Sequence, residues 1–205
     1  MAPPSRGLAA LETAVGYALD GAALVTTARL SSPTPCAGWT LAALLAHLGT
    51  SMGELSQVVA GRRGAGEPDH DGPDPVARLR GHATGLMAAC GAAGPAGRRI
   101  PIGDQELTVS MVVMTAAVEV AGHGWDIFAA CGAPRPVPSR LAAVLLTVAP
   151  LLIPPEARPG LFGPPVPLRG PAEPGDHLVA FLGRQPRPAA VPRRRGDFRA
   201  PGWST

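Results

Sequence analysis

The stretch EVAGHGWD, residues 119–126, puts two ionisable groups four positions apart in a run that is otherwise almost wholly apolar. Glu119 and His123 fall at i and i+4, so a helix raises both side chains from one face, about one turn apart. Two kinds of chemistry suit that spacing. The groups pair as a buried Glu–His ion pair, which is costly unless fully hydrogen-bonded. Or they hold a cation, with one turn of helix offering two donors and a neighbouring helix a third.

The third donor should come from another apolar helix. Among the five histidines, His70 lies in the Pro/Asp loop EPDHDGPDP, while His82 and His177 adjoin glycine or acid on segments that read as exposed. His47, in LAALLAHLGT, shares the apolar helical setting of His123. Ser51 and Glu54 follow His47 at i+4 and i+7, as candidate groups behind the ligands or on the substrate side. Asp126 is a candidate acceptor for the second N–H of His123, or half of a surface salt bridge. Two imidazoles and a carboxylate suit zinc, nickel, cobalt or iron. Cys36 precedes a helix start, where a dipole lowers a thiol's pKa, but reads more simply as a packed thiol. Trp39 reads as a core anchor, and Trp125 as packing on another face of its helix.

Proline divides the chain into the elements that must position these groups, because it breaks helices and collects in connections. The first Pro-free window, 5–32, carries Leu8, Leu11, Val15, Leu19 and Ala23 at helical spacing. Thr40 reads as the N-cap of a second helix that ends in the glycines of GRRGAGEP, and a third helix is expected from Val76 to Cys90. RRIPIGDQELTV is a short strand or an extended crossover. Thr108 or Ser110 caps a long helix through Ala130, with Gly132 as its stop. Ser139 caps a shorter helix that Pro150 bends and Pro154–Pro155 terminate. A short strand at Val166–Leu168 and a last helix at Asp176–Leu182 follow.

These elements predict an all-α four-helix bundle with a long crossover and a short C-terminal extension with a minor strand pair. The bundle should span residues 1–185. Residues 186–205, rich in Pro and Arg, should form a disordered tail, since they cannot bury enough apolar area to offset their ordering entropy. Apolar residues make up 46% and aromatics only 4%, a small-aliphatic core that suits closely packed helices better than a sandwich.

Composition also excludes some partners. The formal charge is +3, but the tail's five Arg and one Asp account for it, so the bundle is nearly neutral and nucleic acid is not an expected partner. Arg193–Arg195 read as solvated tail. Every basic residue is Arg, and the three cysteines form neither an even set nor a C-x-x-C pair, as free thiols of a reducing cytoplasm would. MAPPSRG has no apolar segment of the signal-peptide kind. LAAVLLTVAPLLI is shorter than the roughly 20 residues a membrane span needs.

Three separated motifs carry a resemblance. TPCAGWTLAALLAHL (34–48), EVAGHGWDIFAACG (119–132) and LFGPPVPLRGPAEPGDHLVAFLGRQP (161–186) resemble, in order, segments of the mycothiol-dependent maleylpyruvate isomerase-like proteins of the DinB-like metal-binding superfamily. The third motif is similar to that of an actinobacterial branch. The resemblance implies a four-helix bundle holding a divalent metal, zinc or nickel, through His47, Glu119 and His123, with water in the open positions. It also implies mycothiol as a thiol cosubstrate that adds to a small electrophilic substrate, in an S-transferase or a cis–trans isomerase, and a homodimer as the habit of the superfamily. The competing readings are a metal-dependent lyase or cyclase of secondary metabolism and a metal- or ligand-binding bundle without turnover.

Overall fold

The computed structural model describes residues 5–36, 38–62, 74–102 and 105–186. Four long helices dominate: α1 (Arg6–Ala22), α2 (Leu41–Val59), α3 (Pro75–Gly91) and α4 (Val109–Ala130). Between α3 and α4 run β1 (Arg99–Ile102) and β2 (Gln105–Thr108), paired antiparallel with Ile100 opposite Leu107. After α4 come α5 (Ser139–Leu146), α6 (Ala149–Leu152) and α7 (Pro174–Phe181). The described residues thus form an all-α bundle with one minor strand pair. That pair sits in the crossover; Val166–Leu168 forms no strand, and Val166 only donates its N–H to the Ala180 carbonyl at 2.9 Å.

Short polar side chains start the helices where the sequence expects them. The Thr40 hydroxyl accepts from Ala43 N–H at 3.3 Å, and the Thr108 hydroxyl accepts from Met111 N–H at 3.2 Å. Each satisfies one of the donors that a helix start leaves without a partner. Asp74 does the same for α3, with Pro75 next to it at the start. Ser139 is different. It is the first residue of α5, after Pro138, and no side chain caps that helix.

α1 packs along α4 and α2 along α3, and α2 also meets α4. Leu11, Leu44, Leu48, Met52, Ala117 and Ala121 are fully buried between them. Small residues let the α1 and α4 backbones approach. A Cβ placed on Gly124 would lie 2.8 Å from Tyr17 Cδ1 and 3.2 Å from the Ala18 Cα, part of the backbone. Gly124→Ala should therefore destabilise the fold by about 1–3 kcal/mol through overpacking. Gly16→Ala on α1, where an added Cβ meets nothing within 4 Å, should stabilise it by ~0.5–1 kcal/mol. Denaturation midpoints of the two variants check the contrast.

The C-terminal extension does not stand apart. α7 packs on α5 and α4, and Leu178, Val179 and Leu182 are buried in the common core. Among the described residues no helix is long and apolar enough to cross a membrane. Residues 187–205 of the expected tail, including Arg193–Arg195, and residues 63–73, including His70, lie outside the described residues.

Candidate metal centre

α4 carries Glu119 and His123 on the face it turns towards α2, and α2 brings His47 to meet them. His47 Nε2 stands 3.5 Å from Glu119 Oε1. The His47 and His123 rings are 5.2 Å apart between centroids, at 85°. One donor atom from each of the three residues lies within 4.8 Å of the others. Burial pushes the Glu119 carboxyl up, but hydrogen bonds to His47 and Ser51 and the field of His123 outweigh it, and its pKa falls below the usual range. Glu119 is therefore an anion beside two imidazoles. The cluster is not sealed, since the His47 side chain remains 39% exposed and that of Glu119 24%.

His123 is fixed from behind. Its Nδ1 lies 3.0 Å from Asp126 Oδ2, three residues on along the same helix. Burial pushes the Asp126 carboxyl up, and hydrogen bonds to His123 and Arg184 bring it below its usual value. A carboxylate only accepts, so Nδ1 must donate, leaving Nε2 as the ring's free donor atom. An outer carboxylate placed in this way is what orients the imidazole ligands of known metal sites. Asp126 is fully buried, and the expectation of a surface salt bridge is overturned. Its partner is Arg184, from the segment after α7, which donates from Nη2 to Oδ2 at 2.7 Å and from Nε to Oδ1 at 3.2 Å.

Sequence reasoning did not find Arg184. The available signal was an aspartate in an apolar helix, which needs a cation nearby; with 18 arginines and no lysine, nothing in the pattern selects one.

The segment before α2 contributes two more groups. Trp39 stands edge-on to His47 at 4.6 Å between centroids and nearly parallel to His123 at 6.4 Å. It is packed partly against the core, as a core anchor would be, and it also walls the two imidazoles. Cys36 is no dipole-activated thiol. Burial first, then the Asp126 carboxylate, pushes it up to about 12, so it stays protonated and donates to Asp126 Oδ2 at 3.3 Å. Trp125 packs partly buried against the core. Of the remaining candidates, Ser51 bonds Glu119, whereas Glu54 is exposed and joins no converging cluster among the described residues.

The donor set can be tested against a divalent ion. Two imidazoles and an ionised carboxylate within one ion's reach, one imidazole braced by a carboxylate, fit such an ion. Cys36, His123 and Asp126 also converge, but the thiol keeps its proton and Arg184 occupies both carboxylate oxygens. That second set does not fit a cation. A groove of about 620 Å³ between the C-terminal halves of α2 and α3 is lined by Ala60, Ala88, Arg62 and Arg98 and shares no residue with the candidate centre.

A helical bundle with an open His/Glu/His cluster and a braced imidazole defines the class: a bundle built around a candidate metal site. Residues 11–128, more than half of the chain, match the family model of the mycothiol maleylpyruvate isomerase N-terminal domain. The protein belongs to that family. No curated protein and no solved structure matches the chain.

Proposed function

We propose that this protein is a metal-dependent, thiol-linked enzyme, an S-transferase or cis–trans isomerase that uses mycothiol or a similar thiol on a small electrophilic molecule. The observation that carries the reading is the convergence of His47, Glu119 and His123 donors within 4.8 Å, in a family defined by a mycothiol-dependent isomerase. A divalent ion bound there, zinc or nickel by its donors, would lower the pKa of an incoming thiol and polarise a substrate carbonyl. The partial exposure of His47 and Glu119 supports access by a ligand, as an open catalytic site requires and a closed structural one does not.

The chain's own groups divide the remaining work. Ser51 holds Glu119, Asp126 holds His123, and Trp39 covers both imidazoles on one side, leaving the cosubstrate to enter past the exposed edge of His47. Asp126 is spent on positioning, since its oxygens serve His123, Arg184 and Cys36. Ser51 brings a hydroxyl to the Glu119 carboxylate. The thiol adds across a conjugated double bond, the resulting single bond rotates, and elimination returns the thiol with its proton. No net oxidation occurs. All three cysteines are free, which supports a reducing, cytoplasmic setting.

Two measurements test this. Elemental analysis of protein purified without chelators should find a stoichiometric divalent metal. Metal-loaded protein given mycothiol and a panel of electrophiles should yield an S-conjugate or an isomerised product, and Ser51→Ala should slow it. A stoichiometric metal with neither adduct nor isomerisation across the panel would leave a binding bundle instead.

A further inference from the structure

Behind His123 the C-terminal segment meets the bundle at one buried ion pair. Gly183 adopts φ +82, and a Cβ there would lie 2.8 Å from the Gly163 carbonyl oxygen, so only glycine lets the chain turn so closely. The turn delivers Arg184 inward. Its Nη1 donates to the Leu182 carbonyl at 2.9 Å, Nε and Nη2 donate to the two Asp126 oxygens, and Nη2 also reaches Cys36 Sγ at 3.5 Å. All three nitrogens are engaged and the residue is only 9% exposed, so the guanidinium is not offered to a ligand. Its grip fixes the plane of the carboxylate. The oxygen it holds at 2.7 Å is the same Oδ2 that accepts from His123 Nδ1 at 3.0 Å. An imidazole's χ2 well is broad, and a fixed acceptor removes that freedom.

We propose that Arg184 is a positioning residue for the metal centre: by clamping Asp126 it holds His123 as the Nδ1–H tautomer, with Nε2 presented to Glu119 and His47. The inference rests on the metal reading of that cluster. Arg184 acts through Asp126, 58 residues away in the chain, so docking of the C-terminal segment and affinity for metal are coupled.

Arg158 provides the control. It is equally buried and donates to the Gly163 and Phe181 carbonyls of the same segment, at 2.6 Å to each from Nη2. No bond from Arg158 reaches Asp126. In the full chain, zinc affinity is measured by chelator competition, and the His123 tautomer by ¹⁵N NMR of metal-free protein, assigned with His123→Gln. Arg184→Gln should weaken zinc binding by ~10–100-fold, the cost of losing an outer-shell partner, and should move His123 towards a mixture of tautomers. Arg158→Gln should lower the melting temperature and leave both readouts unchanged. Arg184→Lys keeps the buried charge and guards against a variant that does not fold; it loses the two-pronged geometry and should fall between parent and Arg184→Gln. Equal weakening by Arg158→Gln and Arg184→Gln would assign the effect to docking alone and overturn the proposal. So would an unchanged tautomer and affinity in the Arg184 variants. If the parent binds no zinc, the metal reading fails by itself, and the tautomer ratio still decides whether Arg184 positions His123.

Discussion

Glu119→Ala should leave the protein folded and unable to retain a divalent ion. The substitution removes the one charged donor of the cluster, so the loss should exceed the ~10–100-fold that removal of an outer-shell partner costs. Elemental analysis after dialysis should fall from about one ion per chain to background, as three-ligand sites depend on each ligand. The fold should survive, because the Glu119 side chain is 24% exposed and its bonds run to His47 and Ser51, not to the core. Metal-free parent and variant should therefore unfold within ~0.5–1 kcal/mol of each other. A variant that retains stoichiometric metal would remove Glu119 from the site and favour the Glu–His ion pair as its explanation.

Asp126→Ala should show the opposite pattern, a large loss of stability. Asp126 is fully buried, and its removal leaves the Arg184 guanidinium buried with no anionic partner. Breaking one half of such a pair typically costs about 3–5 kcal/mol, because the remaining charge is uncompensated. The double replacement Asp126→Leu with Arg184→Met should recover most of that loss, since no charge is then stranded. Chemical denaturation of both variants checks this, and a double variant as unstable as the single one would show that the pair's hydrogen bonds, not the stranded charge, set the cost.

The same pair predicts the acid limit. The folded Asp126 and Glu119 carboxyls lie below their usual values, so each contributes stability fully present above the unfolded pKa of about 4. That contribution is lost as pH falls through the folded values. At the alkaline end the sign reverses. Cys36 is raised from 9.0 to about 12, so its contribution is full below the unfolded value and is lost progressively as pH rises towards the folded one. These groups should therefore make stability fall below about pH 5 and again above about pH 8, with Cys36→Ala removing part of the alkaline fall.

Much of the scaffold was legible because local chemistry marks it. Thr40 and Thr108 cap the helices they were expected to cap, and proline and glycine place the ends within a few residues. The i, i+4 spacing of Glu119 and His123 needs nothing beyond a helix to put both on one face. β1 and β2 were less legible: RRIPIGDQELTV reads equally as an extended crossover, since a strand of four residues has too little alternation to declare itself.

By itself, then, the sequence determined an all-α bundle, the helices that carry His47, Glu119 and His123, and the shared face of the last two. Periodicity, capping and backbone breakers act within a turn or two of helix, and these features depend on nothing more distant. Only the tertiary structure decided what surrounds His123. Of the two roles the sequence offered Asp126, acceptor for His123 or surface salt bridge, the fold selects the buried acceptor; Cys36 came to it from 90 residues away and Arg184 from 58. Such contacts have no local signature, because a guanidinium finds a buried carboxylate through the path of the whole chain, and every arginine in a sequence looks alike until that path is known.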